Sequence, residues 1–141
     1  MATIGYTTGV FDLFHIGHLN VLRRAKQECD YLIVGVTTDE LAFARKKKST
    51  IIPFSERMDI VQSIRFVDQV VPQTDMDKFS AWERLRFDKM MVGSDWKGTA
   101  EWQELEARFE SFGVQIVYFP YTETTSSTLL RHALQKLSDI E

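Results

Sequence analysis

The chain has 141 residues, 44% of them hydrophobic, with a formal net charge of -3, which allows one core and leaves no length for a second catalytic domain. Mild acidity excludes a global attraction for nucleic acid or an anionic membrane, and the single basic run is Arg45-Lys46-Lys47-Lys48. Cys29 is the only cysteine, so no intrachain disulfide forms; with no apolar run near roughly 18 residues and no basic-then-apolar leader, a cytoplasmic protein without membrane contact is expected.

No repeat, low-complexity tract or linker interrupts the chain, so residues 1–141 are expected to form one domain. Thr3 to Thr7 reads as a strand and Tyr31 to Thr37 as a buried one, while Leu19, Leu22, Ala25 and Cys29 recur between them at helical spacing. The basic run 45–48 is expected in a loop after the second strand. Ser55 precedes a helix with Met58, Val61, Ile64 and Val67 on its apolar side, followed by a short strand, Gln69 to Pro72. A helix-like stretch from Met76 to Arg86 leads to the strand Lys89 to Gly93. Trp102, Leu105, Phe109 and Phe112 mark a further helix, ended by Gly113 before the strand Val114 to Phe119. A last helix carries Leu129, Leu130, Ala133, Leu134 and Leu137. Trp82 and Trp102 are expected in the core, and the apolar strip from Trp82 to Phe87 is a candidate interface.

Strands alternating with helices of this length predict an α/β fold: a Rossmann-like, doubly wound, parallel five-stranded sheet with helices on both faces and right-handed crossovers. Ligands in such sheets bind beyond the carboxyl ends of the strands. The chemically distinctive segments all follow strands: Gly9 to His18, Thr37-Thr38-Asp39, Gly93 to Trp96, and Tyr121 to Thr128.

His15 and His18 lie three apart, with Gly17 between them, just ahead of the first helix. Nucleotidyl transfer builds charge on the equatorial oxygens of a pentavalent α-phosphate, and catalysis there is mostly positioning and electrostatic stabilisation. Two imidazole N–H donors beside a helix N-terminus suit that task, and Gly17 lets a phosphate approach the backbone. A protein zinc site is disfavoured, because Cys29 and His132 stand at no recognisable ligand spacing from the pair. The basic run could neutralise two phosphates brought together. Arg57, in the first turn of its helix, opposes the macrodipole and so calls for a positioned partner. Asp12 and Asp95 could orient a histidine, bind ribose or base, or assist Mg²⁺. The hydroxyl-rich run Thr122-Glu-Thr-Thr-Ser-Ser-Thr128 can cap a helix or hold phosphates.

The segment Gly9-x-Phe-Asp-x-x-His-x-Gly-His18 resembles the signature of the cytidylyltransferases, a His-x-Gly-His motif after the first strand. The resemblance extends through Thr37-Thr-Asp-Glu40, Glu56-Arg57, Arg65-Phe-Val-Asp68, Gly93-Ser-Asp-Trp96 and Thr122 to Ser127, and is nearest to the glycerol-3-phosphate branch. It implies transfer of CMP from CTP to glycerol 3-phosphate, with Mg²⁺ bound mainly through the nucleotide phosphates, a homodimer, and a product that feeds teichoic-acid or capsule synthesis. It implies catalytic roles for His15, His18 and Lys47, with Lys46 and Lys48 as alternates for the phosphate-binding cations of the basic run. The nucleotide set it implies adds Thr8, Gly9, Phe11, Asp12, Gly17, Gly93, Asp95, Thr122, Ser126 and Ser127. The implied acceptor set is Arg45, Arg57, Asp39, Trp96 and Lys78. Tyr121 stands where the family's phosphate-region arginine is expected, and Thr124 at its glycine, which shifts triphosphate binding toward the loop cations.

Overall fold

The computed structural model describes residues 2–120 and 126–140, without the side chains of the last two. In chain order its elements are β1 (Ile4–Gly9), α1 (Ile16–Gln27), β2 (Tyr31–Thr37), α2 (Asp39–Lys46), α3 (Phe54–Gln62), β3 (Gln69–Gln73), α4 (Lys78–Leu85), β4 (Lys89–Gly93), α5 (Ala100–Glu110), β5 (Gln115–Phe119) and α6 (Ser127–Ile140), with one 3₁₀ turn at Ser94–Trp96. The five strands are parallel in the order β3-β2-β1-β4-β5. The chain steps outward from β1 to β3, then crosses to β4 on the other side of β1. That reversal opens a crevice between the carboxyl ends of β1 and β4.

β2 is apolar along its length because both of its faces are covered. Leu32, Val34 and Val36 pack with Leu22 and Ala25 of α1 and Val61 of α3 in one core layer. Ile33 joins Tyr6, Phe87 and Met90 under Ala81 of α4 and Trp102 and Phe109 of α5 in the other. Within the strip Trp82 to Phe87, Phe87 is buried and Trp82 and Leu85 pack against the second layer, while Glu83, Arg84 and Arg86 are exposed. Cys29 lies just beyond α1, its Sγ against the Ala25 carbonyl at 3.2 Å.

The basic run departs from the expected loop. Thr38 Oγ1 caps the Leu41 amide at 3.2 Å, and Asp39 and Glu40 occupy the first turn, so a helix starts at once. Arg45 and Lys46 then form the last turn of α2, where cations favour the dipole, and Lys47 ends it in the left-handed region at φ 58°. Ala42 is the one buried residue of α2, too little for an apolar stripe to announce the helix.

One device recurs along the amino-terminal edge of the sheet. An aspartate directly precedes each of β2, β3 and β4, and pairs through its own amide and its carboxylate with one residue in, or just before, a neighbouring strand. Asp30 does so with Thr3, Asp68 with Leu32 and Asp88 with Ile4, at 2.7–3.0 Å. These pairs set the register at the end of the sheet that does no chemistry. Asp68 also holds Lys26 at 2.6 Å; burial alone would raise its carboxyl, but Lys26 and the Leu32 amide hold it below the ordinary value. Asp68→Ala is expected to cost about 1 kcal/mol, seen in urea unfolding as a lower midpoint at unchanged slope.

Candidate active site

The turn from β1 into α1 carries two non-glycine residues in the left-handed region, Phe11 at φ 56° and Leu13 at φ 51°. Each such residue costs about 1–2 kcal/mol, so something must hold the turn. Asp12, between them and buried, is the holding group. Its carboxylate accepts the amides of Ile51 and Ile52, both at 2.9 Å, and the guanidinium of Arg131 at 2.8 Å. Its carbonyl accepts the Ser127 hydroxyl at 2.7 Å. Arg131 also donates to the Ser49 carbonyl at 3.0 Å, so the last helix, the first turn and the segment after α2 meet at one carboxylate. Gly9 leaves room for the Phe11 ring, which a Cβ would approach to 2.9 Å.

Arg57 is wholly buried. It donates to the carbonyls of Ile52 at 2.9 Å, Val10 at 2.7 Å and Thr37 at 2.7 Å, and to Asp39 at 2.6 Å. Asp39 in turn accepts from the Thr50 hydroxyl at 2.7 Å and the Phe54 amide at 3.2 Å. The positioned partner that Arg57 calls for is therefore the protein itself. Its guanidinium is turned away from solvent, while the Asp39 side chain remains 44% exposed.

The two histidines cap α1 reciprocally. His15 Nδ1 accepts the Gly17 amide at 3.0 Å, and His18 Nδ1 accepts the His15 amide at 3.2 Å. A neutral imidazole whose Nδ1 accepts carries its proton on Nε2. Each ring therefore keeps one outward N–H donor, and the rings stand 4.0 Å apart. His18 is further boxed by Phe11 and Phe14, each at 5.3 Å.

The other expected residues stand at the following places in the fold. Thr8 is the last residue but one of β1 and Gly93 ends β4, Asp95 is exposed in the 3₁₀ turn, and Gly17 sits in the first turn of α1. Ser126 Oγ accepts the Leu129 amide at 3.0 Å and so caps α6. Arg45 to Lys48 are all exposed and reach toward solvent. Lys78 and Trp96 form a separate group with Trp102, Lys78 lying 5.3 Å over the Trp102 ring and Trp96 6.1 Å from it. Burial lowers Lys78, as does Arg45, while Glu101 and Asp77 raise it. Thr122 and Tyr121 fall outside the described residues. Arg131 was not among the expected residues. Its one local signal is a cation in the second turn of a helix, the same kind of signal that singles out Arg57.

Burial, then the neighbouring His15, pushes His18 down to about 4 against the pull of Asp12, and burial lowers His15 as well. Both rings are neutral at pH 7. A histidine held below its unfolded value of 6.5 contributes stability above that pH and loses it as pH falls toward the folded value. Stability is expected to drop between pH 6.5 and about 4, and His18→Ala to flatten that drop, as read by urea unfolding across the window.

Comparison with known proteins identifies the family. Residues 6–133 match the family model described as cytidylyltransferase-like. A glycerol-3-phosphate cytidylyltransferase of Bacillus spizizenii is 35% identical over 93% of this chain and 96% of its own length. One of Staphylococcus aureus is 36% identical over 91% and 92%. An FAD synthase of Thermococcus kodakarensis is 29% identical over 92% and 87%. Among solved structures, a lipopolysaccharide core biosynthesis protein of Thermoplasma volcanium shares the fold, with TM-score 0.72 and 23% identity over 89% of this chain and all of that one. The chain is an enzyme of the cytidylyltransferase-like nucleotidyltransferase family.

Proposed function

We propose that the protein transfers CMP from CTP to glycerol 3-phosphate, giving CDP-glycerol and pyrophosphate. The observation that carries the chemistry is the reciprocal histidine cap. It fixes both tautomers, so two neutral Nε2–H donors are presented together at a helix N-terminus without any rearrangement at the moment of reaction. The choice of acceptor is supported by the 35% and 36% identities to glycerol-3-phosphate cytidylyltransferases over nearly their whole length.

In this reading an anionic oxygen of the acceptor phosphate attacks the α-phosphorus of CTP. A new P–O bond forms as the bond to the bridging β-phosphate oxygen breaks, and pyrophosphate leaves. The nucleophile is already deprotonated, so no general base is needed. His15 and His18 donate to the α-phosphate oxygens as charge grows there. The positive end of the α1 dipole favours the same anion, with Gly9 and Gly17 putting no side chain in its way. Lys47, on the exposed rim, meets the triphosphate, and Arg45 meets the acceptor phosphate. Thr8, Phe11, Gly93, Asp95, Thr122, Ser126 and Ser127 complete the nucleotide side, with Lys78 and Trp96 on the acceptor side. Asp12, Asp39 and Arg57 act by positioning, since their polar atoms are engaged within the protein.

Mg²⁺ would neutralise the phosphates and would be held mainly through their oxygens. Among the described residues no three His, Cys, Asp or Glu side chains converge on one point, and the Asp12 carboxylate is already occupied by two amides and Arg131. The described residues include no helix long and apolar enough to cross a membrane. The working form proposed is a cytoplasmic homodimer that needs no nucleic acid or membrane partner.

A pyrophosphate-release assay with CTP and glycerol 3-phosphate tests the reaction. His15→Ala and His18→Ala are each expected to lower kcat about 10²–10³-fold, the usual loss for one transition-state donor; wild-type turnover in either variant overturns the catalytic assignment. A panel crossing CTP and ATP with glycerol 3-phosphate, phosphocholine, phosphoethanolamine and FMN, read by mass spectrometry, tests the substrates. Product only from ATP and FMN would place the chain with its FAD synthase relatives instead.

A further inference from the structure

Apolar burial does not hold α6 in place. Leu129, Leu134 and Leu137 are 57%, 46% and 62% exposed, and neither core layer includes a residue of this helix. Of its described side chains only Ser127, Leu130 and Arg131 are half-buried. Two of these make the hydrogen bonds that tie the helix to earlier parts of the described chain. Ser127 Oγ donates to the Asp12 carbonyl at 2.7 Å, and Arg131 donates to the Asp12 carboxylate at 2.8 Å and to the Ser49 carbonyl at 3.0 Å. The place of α6 is therefore set by polar bonds within its first two turns.

The same guanidinium reaches two further segments. Ser49 directly follows the basic run Arg45 to Lys48, and Asp12 stands between the left-handed Phe11 and Leu13 in the turn that leads to His15. The carboxylate that Arg131 meets also accepts the amides of Ile51 and Ile52. We infer that Arg131 is a positioning residue for nucleotidyl transfer: it brings the start of α6 and the exit of the basic run to the histidine turn, so that one triphosphate meets all three segments at once. The inference rests on the reading that Ser126, Lys47 and the two histidines face the nucleotide phosphates, and adds the group that sets their relative places.

The chemistry of the junction favours this role over simple anchoring of a helix. The Asp12 side chain is only 4% exposed, so its charge needs a fixed counter-charge. A guanidinium presents several donors in one plane, where an ammonium is a single point. One terminal nitrogen of Arg131 serves the carboxylate and the other the Ser49 carbonyl. An apolar contact would hold α6 equally well but would leave the Asp12 carboxylate without its counter-charge and the exit of the basic run untied. Because three segments share one planar group, a displacement of any one of them moves the others, and donors misplaced by about 1 Å lose much of their effect on rate.

The test joins kinetics to hydrogen exchange. Arg131→Met keeps an unbranched apolar stem and removes the guanidinium, while Arg131→Lys keeps the charge. In Arg131→Met, kcat/KM for CTP is expected to fall about tenfold or more, and Arg131→Lys to recover part of the loss. Asp12→Asn weakens the same junction from its other side. If the two residues act as one unit, the double variant Asp12→Asn/Arg131→Met is expected to lie within about twofold of the poorer single one. In the protein without nucleotide, the amides of Ile51, Ile52 and the first turns of α6 are expected to exchange about tenfold faster together in Arg131→Met, with those of β2 unchanged, which separates a loosened junction from general unfolding. Wild-type kcat/KM in Arg131→Met, single losses that multiply in the double variant, or faster exchange confined to α6 each overturn the inference and leave the proposed reaction standing. Linked exchange in a protein that releases no pyrophosphate from any triphosphate supports the junction and sinks the reaction.

Discussion

A buried guanidinium holds the working end of this molecule together. Arg57 has no contact with water, and an uncompensated charge in such a place would be very costly. It is compensated by three carbonyls and a carboxylate, and their positions matter more than their number: one lies in the turn after β1, one at the end of β2, one in the segment before α3 and one at the start of α2. The ends of two strands and the beginnings of two helices are thus fixed relative to a single planar group. Asp12 does the converse with a buried negative charge, collecting Ile51, Ile52 and Arg131. The segment between α2 and α3 is held between these opposite charges, and the strained turn bearing the histidines is braced against it.

The sheet divides the work between its two ends. At the amino-terminal edge, Asp30, Asp68 and Asp88 lock register with short, repeated contacts. At the carboxyl-terminal edge the polar groups reach across long sequence separations and converge on one crevice. Register errors at the first edge would misplace every group at the second, since a one-residue slip turns each side chain to the opposite face.

Much of this could be read from the chain. β2 has the limits its apolar run predicts, because a strand covered on both faces leaves an unbroken signal. The motif from Gly9 to His18 falls after β1 as expected. The helix α2 escaped notice because one buried alanine makes no periodic pattern. Arg57 announced a partner by its place in a helix first turn, but its partners are carbonyls as far as 47 residues away, and backbone atoms leave no trace in residue identity. For the same reason Asp12 could be suspected of importance without its role being legible.

The reciprocal cap has a consequence for how this protein can change. The same two nitrogens that cap the helix also determine which tautomer each ring keeps, so folding of the first turn and readiness of the donors form one cooperative unit. Variation elsewhere in the molecule can trade stability against activity in small steps. At His15 and His18 no such trade is open, because a change to either ring disturbs the cap and its donor at once.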